Sequence, residues 1–328
     1  MCDQRFVVGI ASALAALISA ASTLGQTTST GSGATFPIRL VRIVTSEPGG
    51  GGDFVARLIA QGLAAPLGQQ VIVDNRPAGV IPGQIVSQAP PDGHTMLVFG
   101  NSIWIGSLLQ STPYDPVRDF APVTMATRSP NILVVHPSLP VKSVTELVVL
   151  AKARPGELNY ASGAPGGAPH ISGEMFKAMA GINIMSIPFK GSGPSLASLV
   201  GGHVQLTFAT AASVTPHIKS GRLRALAMST AQRSALAPGL PTVAETVPGY
   251  ESVSLFGVWA PAKTPEPVIT RLNAEIAKVL TGADARDKLF AVGVEAVAST
   301  PVQFADAIKT DIARLSALIR NSGIRIYT

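Results

Sequence analysis

The residue types best placed to do chemistry in this chain are glycines and hydroxyl side chains that stand between a strand and a helix. In Thr45–Asp53 (TSEPGGGGD) a β-rich segment ends, consecutive glycines follow and a helical pattern begins. Glycines let a backbone approach a ligand closely, and the first N–H groups of a helix are unpaired and carry a positive partial charge. The pattern indicates an anion site built from main chain. A tight turn with Asp53 as a helix cap is the equally supported alternative.

Two further loops have the same design. Tyr160–His170 (YASGAPGGAPH) and Phe189–Ser195 (FKGSGPS) each follow a strand-like segment and enter a helical one. Because open α/β sheets bind ligands at the carboxyl ends of their strands, two such loops could hold one ligand from opposite sides. Nucleotide-binding motifs do not match, since no Gly-Lys-Ser/Thr follows the first loop and the third glycine of GxGxxG would fall on Phe54.

Residue sets for catalysis or metal binding are missing from the sequence. The five histidines show no metal-ligand spacing, no GxSxG elbow occurs, and the single cysteine, Cys2, lies ahead of an apolar run. We therefore predict no metal, no cofactor and no catalytic residue. Asp115 and Asp119 are predicted to serve as turn and cap residues. His170, at a helix start beside the second loop, is the histidine we expect near a ligand.

The N-terminus is typical of an export signal. Arg5 precedes the apolar run Phe6–Ala21, and small residues follow it. This run is shorter than the roughly 20 apolar residues that a membrane-spanning helix needs, although an uncleaved anchor is the alternative. We expect a signal peptide over residues 1–25, a flexible lead-in over 26–36, and a periplasmic protein. The net charge is +6, but the basic residues are scattered, which argues against nucleic-acid binding.

Strand-like and helix-like segments alternate through the rest of the chain. Hydrophobic residues make up 46% and charged residues 13%, as in a well-packed protein. The alternation predicts an α/β protein with two lobes, each a mainly parallel sheet flanked by helices. The sequence pattern changes near Ala126–Pro130 and again near Pro248–Val258, and we expect the lobe boundaries there. Lobe 1 would then comprise residues 37–128, lobe 2 residues 129–250, and residues 251–328 would return to lobe 1.

Short motifs in a fixed order extend this interpretation over most of the chain. They are Pro48-Gly49-Gly50 with Asp53, Asp74-Asn75-Arg76-Pro77, Pro91-Asp92-Gly93-His94-Thr95, Tyr114-Asp115-Pro116 with Asp119-Phe120, Ala153-Arg154-Pro155-Gly156, Phe189-Lys190-Gly191, Gly201-Gly202-His203-Val204 and Leu240-Pro241-Thr242-Val243-Ala244-Glu245. In this order, from about Pro37 to Ile324, the chain resembles the substrate-binding proteins of tripartite tricarboxylate transporters, the Bug receptors.

This resemblance implies a periplasmic receptor that has the type II-like periplasmic-binding-protein fold and is not an enzyme. Because closure around a ligand occurs within one chain, we expect the receptor to be a monomer. It would close two lobes on a small organic carboxylate and deliver it to the membrane permease subunits of the transporter. Carried over by position, the ligand contacts would come from the first loop and the second loop, with two weaker candidates at other strand ends: Pro48, Gly49, Gly50, Asp53; Ser162, Gly163, Gly166, His170; Asn101, Lys190.

The chain departs from the family pattern at positions that would touch the ligand. An aromatic residue and then a small residue or proline usually precede Pro-Gly-Gly, where this chain has Ser46 and Glu47, and an acidic residue often stands at the position of Ala209. We expect Ser46 and Thr210 to shift selectivity away from acidic amino acids. A solute sensor that presents its ligand to a signalling receptor would share these features. A secreted α/β enzyme is the remaining alternative.

Overall fold

The computed structural model describes residues 36–77, 79–162, 167–189, 192–234 and 236–322. The predicted signal peptide, and the lead-in up to Thr35, lie outside these ranges. None of the helices within them is both long enough and apolar enough to cross a membrane.

A sheet of ten strands forms the centre of the molecule. Its main path is β2-β1-β3-β9-β4-β7-β5-β6, and β8 and β10 both pair with β4. The strands are β1 Val41–Thr45, β2 Val71–Asn75, β3 Thr95–Gly100, β4 Phe120–Val135, β5 Asn159–Ser162, β6 Met185–Pro188, β7 Leu206–Thr210, β8 Arg224–Met228, β9 Val253–Pro261 and β10 Glu295–Ala296.

Helices connect most of these strands, as the sequence pattern predicts. They are α1 Gly51–Leu67, α2 Ile81–Ser87, α3 Ser102–Leu109, α4 Val144–Ala153, α5 Ala168–Ala180, α6 Ser192–Val200, α7 Ala211–Lys219, α8 Glu266–Thr281, α9 Ala283–Ala291 and α10 Pro301–Ser322.

The long strand β4 divides the sheet into two halves. Its residues up to Pro130 pair with β9, where Pro130 lies opposite Val253. From Asn131 onward it pairs with β7 and, in part, with β8, and Asn131 lies opposite Thr210. We call β2, β1, β3, β9 and the first part of β4 the first half, and the second part of β4 with β7, β5, β6 and β8 the second half.

The structure is an α/β fold, and three strands in each half run parallel as expected. These are β2-β1-β3 in the first half and β6-β5-β7 in the second. The pairings that involve β4 and β9 are antiparallel, so the sheet as a whole is mixed and not mainly parallel. The reason lies in the connectivity, because the chain leaves the first half along β4 and returns along β9 in the opposite direction.

Apolar residues cover both faces of the sheet. One cluster packs α1 and α8 on the first half through Ile59, Val258 and Ile276. Another packs α6 and α7 on the second half. The largest cluster runs through both halves and includes Phe208 and Trp259, whose ring centroid lies 4.9 Å from that of Phe304. Helices on both faces are the arrangement that buried parallel strands require.

Helix ends follow their sequence signals in two cases and differ in a third. In the sequence, Ser143-Val144-Thr145-Glu146 predicts a capping box, and Thr264-Pro265 and Thr300-Pro301 each predict a threonine cap before a first-turn proline. The Ser143 Oγ accepts a hydrogen bond from the Glu146 N–H, which confirms Ser143 as the cap. The Glu146 carboxylate accepts its bond from the Lys142 N–H, one residue before the cap. Helix α10 begins at Pro301, directly after Thr300, as expected. Thr264 does not cap α8, because its hydroxyl donates to the Pro261 carbonyl and the helix begins at Glu266.

Candidate functional site

A cleft of about 580 Å³ opens where the carboxyl ends of β1 and β7 face each other across β4. Its lining comes from both halves of the sheet. The first half contributes Gly49, Gly50, Gly51, Phe54, Val55, Ser129, Ser254, Phe256, Val292 and Val294. The second half contributes Asn131, Ala168, Pro169, Ser195, Leu196, Thr207, Phe208, Ala209, Thr210 and Ser213. The first glycine loop thus lies at the cleft, as its composition predicts.

The first loop is held in shape from behind by Asp53. One carboxylate oxygen, Oδ2, accepts a hydrogen bond from the Gly49 N–H at 3.0 Å. The other, Oδ1, accepts one from the Asn75 amide at 2.8 Å and lies 2.9 Å from the Arg57 Nε. The Asn75 amide also donates to the Ser46 carbonyl at 2.7 Å. Asp53 therefore positions the loop, and its carboxylate is engaged away from a ligand.

The charge state of Asp53 fits this supporting role. Burial of the side chain acts to raise the pKa of the carboxyl group. Hydrogen bonds from Arg57, the Gly49 N–H and Asn75 act in the opposite direction and outweigh burial, so the pKa lies below its ordinary value of 3.8. The carboxylate is therefore ionised at neutral pH, and its negative charge is matched by Arg57 outside the cleft.

The helices that start at the cleft leave their first N–H groups uncapped by side chains. Gly50 is the N-cap of α1, Gly167 that of α5 and Thr210 that of α7, and none of them makes a side-chain capping bond. Elsewhere Ser143 caps α4 with its hydroxyl. Uncapped first-turn N–H groups and the positive end of the helix dipole suit an anion. The Gly49 N–H, in contrast, is taken by Asp53.

Close packing against an aromatic ring explains the glycine at position 51. A Cβ atom added to Gly51 would lie 2.7 Å from the Phe256 ring, which also lines the cleft. At Gly50 the nearest atom to an added Cβ is the Glu47 carbonyl oxygen at 3.6 Å, an ordinary contact. An added Cβ at Gly52 would lie 2.9 Å from the Thr45 Oγ1, so a side chain is sterically excluded at Gly51 and Gly52 but not at Gly50.

Neutral hydroxyl groups shape the opposite side of the cleft. The Ser213 Oγ donates to the Thr210 carbonyl at 2.8 Å and lies 3.1 Å from the Thr210 Oγ1. The Thr207 hydroxyl donates to the Ala161 carbonyl at 2.7 Å. Thr210 lines the cleft at the point where β7 ends and α7 begins, and its effect on selectivity stays a prediction.

The floor of the cleft is a polar network that sequence reasoning missed. Asn131 is 1% exposed, and its amide nitrogen is within hydrogen-bond distance of the Ser172 Oγ and the Ser252 carbonyl. The Ser254 hydroxyl donates to the Asn131 Oδ1 at 3.1 Å. The sequence held a signal, because Asn131 is a lone amide in the apolar run PNILVV and Ser252 and Ser254 alternate in ESVSLF. These residues lie where β4 changes partners.

Several predicted contacts are not among the described residues that line the cleft. Ser46 and Pro48 lie on the loop that leads to it. Asn101 donates its amide to the Val253 carbonyl at the start of α3. The Ser162 hydroxyl accepts from the Ser186 hydroxyl, and Ser162 is 1% exposed.

The remaining predicted contacts are His170 and three residues that the structure does not describe. His170 is buried next to the lining residue Pro169, and burial, the largest influence on the group, lowers its pKa. Gly163, Gly166 and Lys190 lie outside the described residues. Their roles, like the contacts of the residues above, stay predictions.

No ionisable side chain is found among the described residues that line the cleft. Glu47, which would repel an anion from inside, is exposed and is not part of this lining. Ala209 lines the cleft where a family acid was expected. Over the same described ranges, no cluster of His, Cys, Asp or Glu could hold a metal ion. Asp115 and Asp119 accept hydrogen bonds from nearby backbone N–H groups, which confirms them as turn and cap residues.

Solved structures with this architecture include the periplasmic binding protein BugD and a TctC solute binding protein from Polaromonas. The protein BugT of Bordetella pertussis is 36% identical over 299 residues, which cover 89% of this chain and 92% of BugT. The structure of Rpa4515 from Rhodopseudomonas palustris with adipate has a TM-score of 0.81 and 38% identity, and covers 89% of this chain and 99% of that one. MatC of the same organism, with bound malate, has a TM-score of 0.78 and 29% identity, with 87% and 100% covered.

The family model described as the tripartite tricarboxylate transporter family receptor matches residues 55–324. The match contains every strand of the sheet except β1, and all of the cleft lining except the first glycine loop and Phe54. The two-lobed binding-protein fold, the order of motifs and the cleft agree with it. The chain therefore belongs to the tripartite tricarboxylate transporter receptor family.

Proposed function

We propose that this protein is a periplasmic receptor that captures a small organic dicarboxylate and delivers it to the permease subunits of a tripartite tricarboxylate transporter. One observation carries the proposal. The cleft has uncapped helix starts on both sides and no ionisable side chain among its described lining residues. Such a site offers main-chain N–H groups to anions and has no charged partner for a cation.

The two carboxylates of a ligand would lie at opposite sides of the cleft. One would accept hydrogen bonds from the N–H groups at Gly50 and Gly51, and the other from the starts of α5 and α7. Each helix start contributes a partial positive charge, which stabilises a carboxylate. The second loop and Lys190, predicted from the family resemblance, would complete this side.

The carbon chain of the ligand would pack on apolar walls. Phe54, Phe256 and Leu196 line the cleft, as do Val292 and Val294. Rpa4515 was solved with adipate and MatC with malate, both dicarboxylates. The absence of an acid at Ala209 argues against acidic amino acids, because a buried ammonium group without a counter-charge is strongly disfavoured.

Capture would involve closure of two lobes about β4 and β9. We place the lobes at residues 37–128 with 251–328, and at 129–250. The change of partners along β4 between Pro130 and Asn131 supports this division. The signal peptide, residues 1–25, would be removed during export. Because closure is an event within one chain, the receptor would act as a monomer.

The test is a ligand screen on the exported form of the chain, starting near Gln26. Adipate, malate, citrate, benzoate and aspartate would be compared by thermal shift, and the hits by calorimetry. A dicarboxylate at 100 times its Kd should stabilise the protein by about 2.7 kcal/mol, which gives a clear rise in Tm. Equal or stronger stabilisation by aspartate would contradict the assignment of ligand class. No response to any anion would contradict the receptor function itself.

A further inference from the structure

The hydroxyl groups on the floor of the cleft have their protons committed to other protein groups. The Ser129 Oγ lies 2.9 Å from the Gly293 carbonyl oxygen, a group that can only accept. The Thr207 Oγ1 lies 2.7 Å from the Ala161 carbonyl oxygen. In each pair the hydroxyl must therefore be the donor, and its proton points away from a ligand.

The Ser254 hydroxyl also donates its proton to a protein group, as the orientation of the Asn131 amide shows. The Asn131 Nδ2 lies 3.3 Å from the Ser252 carbonyl oxygen, which can only accept, so the amide nitrogen must be on that side. The Asn131 Oδ1 then faces the Ser254 hydroxyl at 3.1 Å and accepts its proton. The Ser172 Oγ, 3.4 Å from the same nitrogen, stands on the donor side of the amide as well.

Ser129 and Ser254 form a pair of acceptors at one point of the floor. They lie directly opposite each other in the register of β4 and β9, and both line the cleft. Side chains at opposite positions of an antiparallel pair share one face and lie close together. Because both hydroxyl protons are donated to protein oxygen atoms, the pair presents only oxygen lone pairs to the cleft.

We infer that Ser129 and Ser254 form a subsite for a neutral proton donor, so that the receptor prefers a dicarboxylate with a hydroxyl group between its carboxylates. This inference rests on the proposed function. A ligand hydroxyl would donate to the pair, whereas a carbonyl oxygen at the same position would meet lone pairs. An ammonium group would also donate, but the described lining offers no negative charge to offset its desolvation.

The experiment measures, by calorimetry on the exported chain, three ligands that differ only at one carbon: 2-hydroxyglutarate, glutarate and 2-oxoglutarate. One gained hydrogen bond corresponds to about 3- to 10-fold in affinity, so 2-hydroxyglutarate should bind tighter than glutarate by that factor. The 2-oxo acid should bind more weakly than glutarate. Malate, succinate and oxaloacetate repeat the comparison at a shorter length.

Two variants identify the groups responsible. Ser254→Ala and Ser129→Ala should each bring the hydroxy-to-unsubstituted affinity ratio close to one. Ser138→Ala, an exposed serine in the turn after β4, should keep the wild-type ratio. Because the readout is a ratio within one protein, a general loss of stability does not imitate the expected result.

Each outcome decides a different claim. If all three glutarate analogues bind the wild type within about twofold of one another, water occupies the floor and the inference is wrong, while the receptor function stands. If the preference is present but survives both serine variants, the subsite lies elsewhere in the cleft and the assignment to this pair is wrong. If no dicarboxylate of either length binds, the proposed function fails first.

Discussion

The two sides of the cleft are held in place by different kinds of hydrogen bond. Behind the first loop, a carboxylate, a guanidinium and an amide hold the glycines through Asp53, Arg57 and Asn75. On the opposite side, Thr207 and Ser213 donate to main-chain carbonyl groups and no charged side chain is involved in these bonds. Asp53, Arg57 and Asn75 are not among the described lining residues, whereas Thr207 and Ser213 are. Both sides therefore present a cleft surface without net charge, which suits ligands recognised by main-chain N–H groups.

The largest expected effect comes from the close contact between Gly51 and Phe256. Gly51→Ala places a methyl group against the ring, so either the ring or the loop must move. We expect a loss of about 1–3 kcal/mol in the free energy of unfolding and at least about a tenfold loss in dicarboxylate affinity. Denaturant unfolding and calorimetry measure the two quantities.

Gly50→Ala is the matched control for this change. Its added Cβ has ordinary contacts and Gly50 has a φ of −82°, so the free energy of unfolding should stay close to that of the wild type. Equal destabilisation by the two alanines would show that the Phe256 contact does not set the position of the loop.

A charge placed on the neutral side should have the next largest effect. Ala209→Asp brings a carboxylate into the lining, and like-charge repulsion should weaken dicarboxylate binding by at least about tenfold. The same variant should gain affinity for aspartate, since an ammonium group would then have a partner. Ala209→Asn adds similar volume without charge, so it should not exchange dicarboxylate affinity for aspartate affinity. Unchanged selectivity in Ala209→Asp would mean that position 209 does not face the ligand.

Removal of the Asp53 carboxylate from behind the first loop should have a smaller effect on ligand binding and a measurable effect on the free energy of unfolding. Asp53→Ala leaves the Gly49 N–H and the Asn75 amide without their acceptor, at a cost of about 1–3 kcal/mol in the free energy of unfolding. Asp284→Ala is the control, because this aspartate pairs with Lys288 on the surface and is 80% exposed.

The pH dependence of the Asp53 effect follows from its lowered pKa. The stabilisation is fully present above the ordinary aspartate value of 3.8 and is lost as the pH falls through the lower pKa of the folded state. Wild type and Asp53→Ala should therefore differ in stability near neutral pH and converge in strong acid. A constant difference down to the acid limit would contradict the role of the ionised carboxylate.

The smallest expected effect is that of pH on binding. The described lining has no ionisable side chain, and the lowered pKa of the buried His170 keeps its ring neutral above pH 6.5. Dicarboxylate Kd values should change by less than about twofold from there to about pH 8. A larger change would show that a titrating group outside the described lining reaches the ligand.

Most of the fold could be predicted from local signals in the sequence. Alternating β-rich and helical segments predicted the parallel strands, and Ser143 and Thr300 marked helix starts that the structure confirms in place. The antiparallel insertion of β9 between β3 and β4 could not be predicted, because strand order depends on contacts between residues far apart in the chain. Local patterns do not encode such contacts.

The site was predicted where glycines mark it and missed where it is built from ordinary residues. Gly49, Gly50 and Thr210 line the cleft. Asp53 was expected to contact the ligand, but its side chain is turned toward Asn75 and Arg57. An aspartate that supports a loop and one that contacts a ligand look the same in a sequence. The side chain's direction is set by partners on another strand.

The place of β9 in the sheet also determines when the protein can fold. The strand between β3 and β4 ends at Pro261, and α8, which covers the same half, ends at Thr281. An N-terminal domain normally folds while later residues are still being synthesised. Here the first half of the sheet lacks the strand that joins β3 to β4 until most of the chain has left the ribosome. A long unfolded interval during synthesis is compatible with export of the chain before it folds.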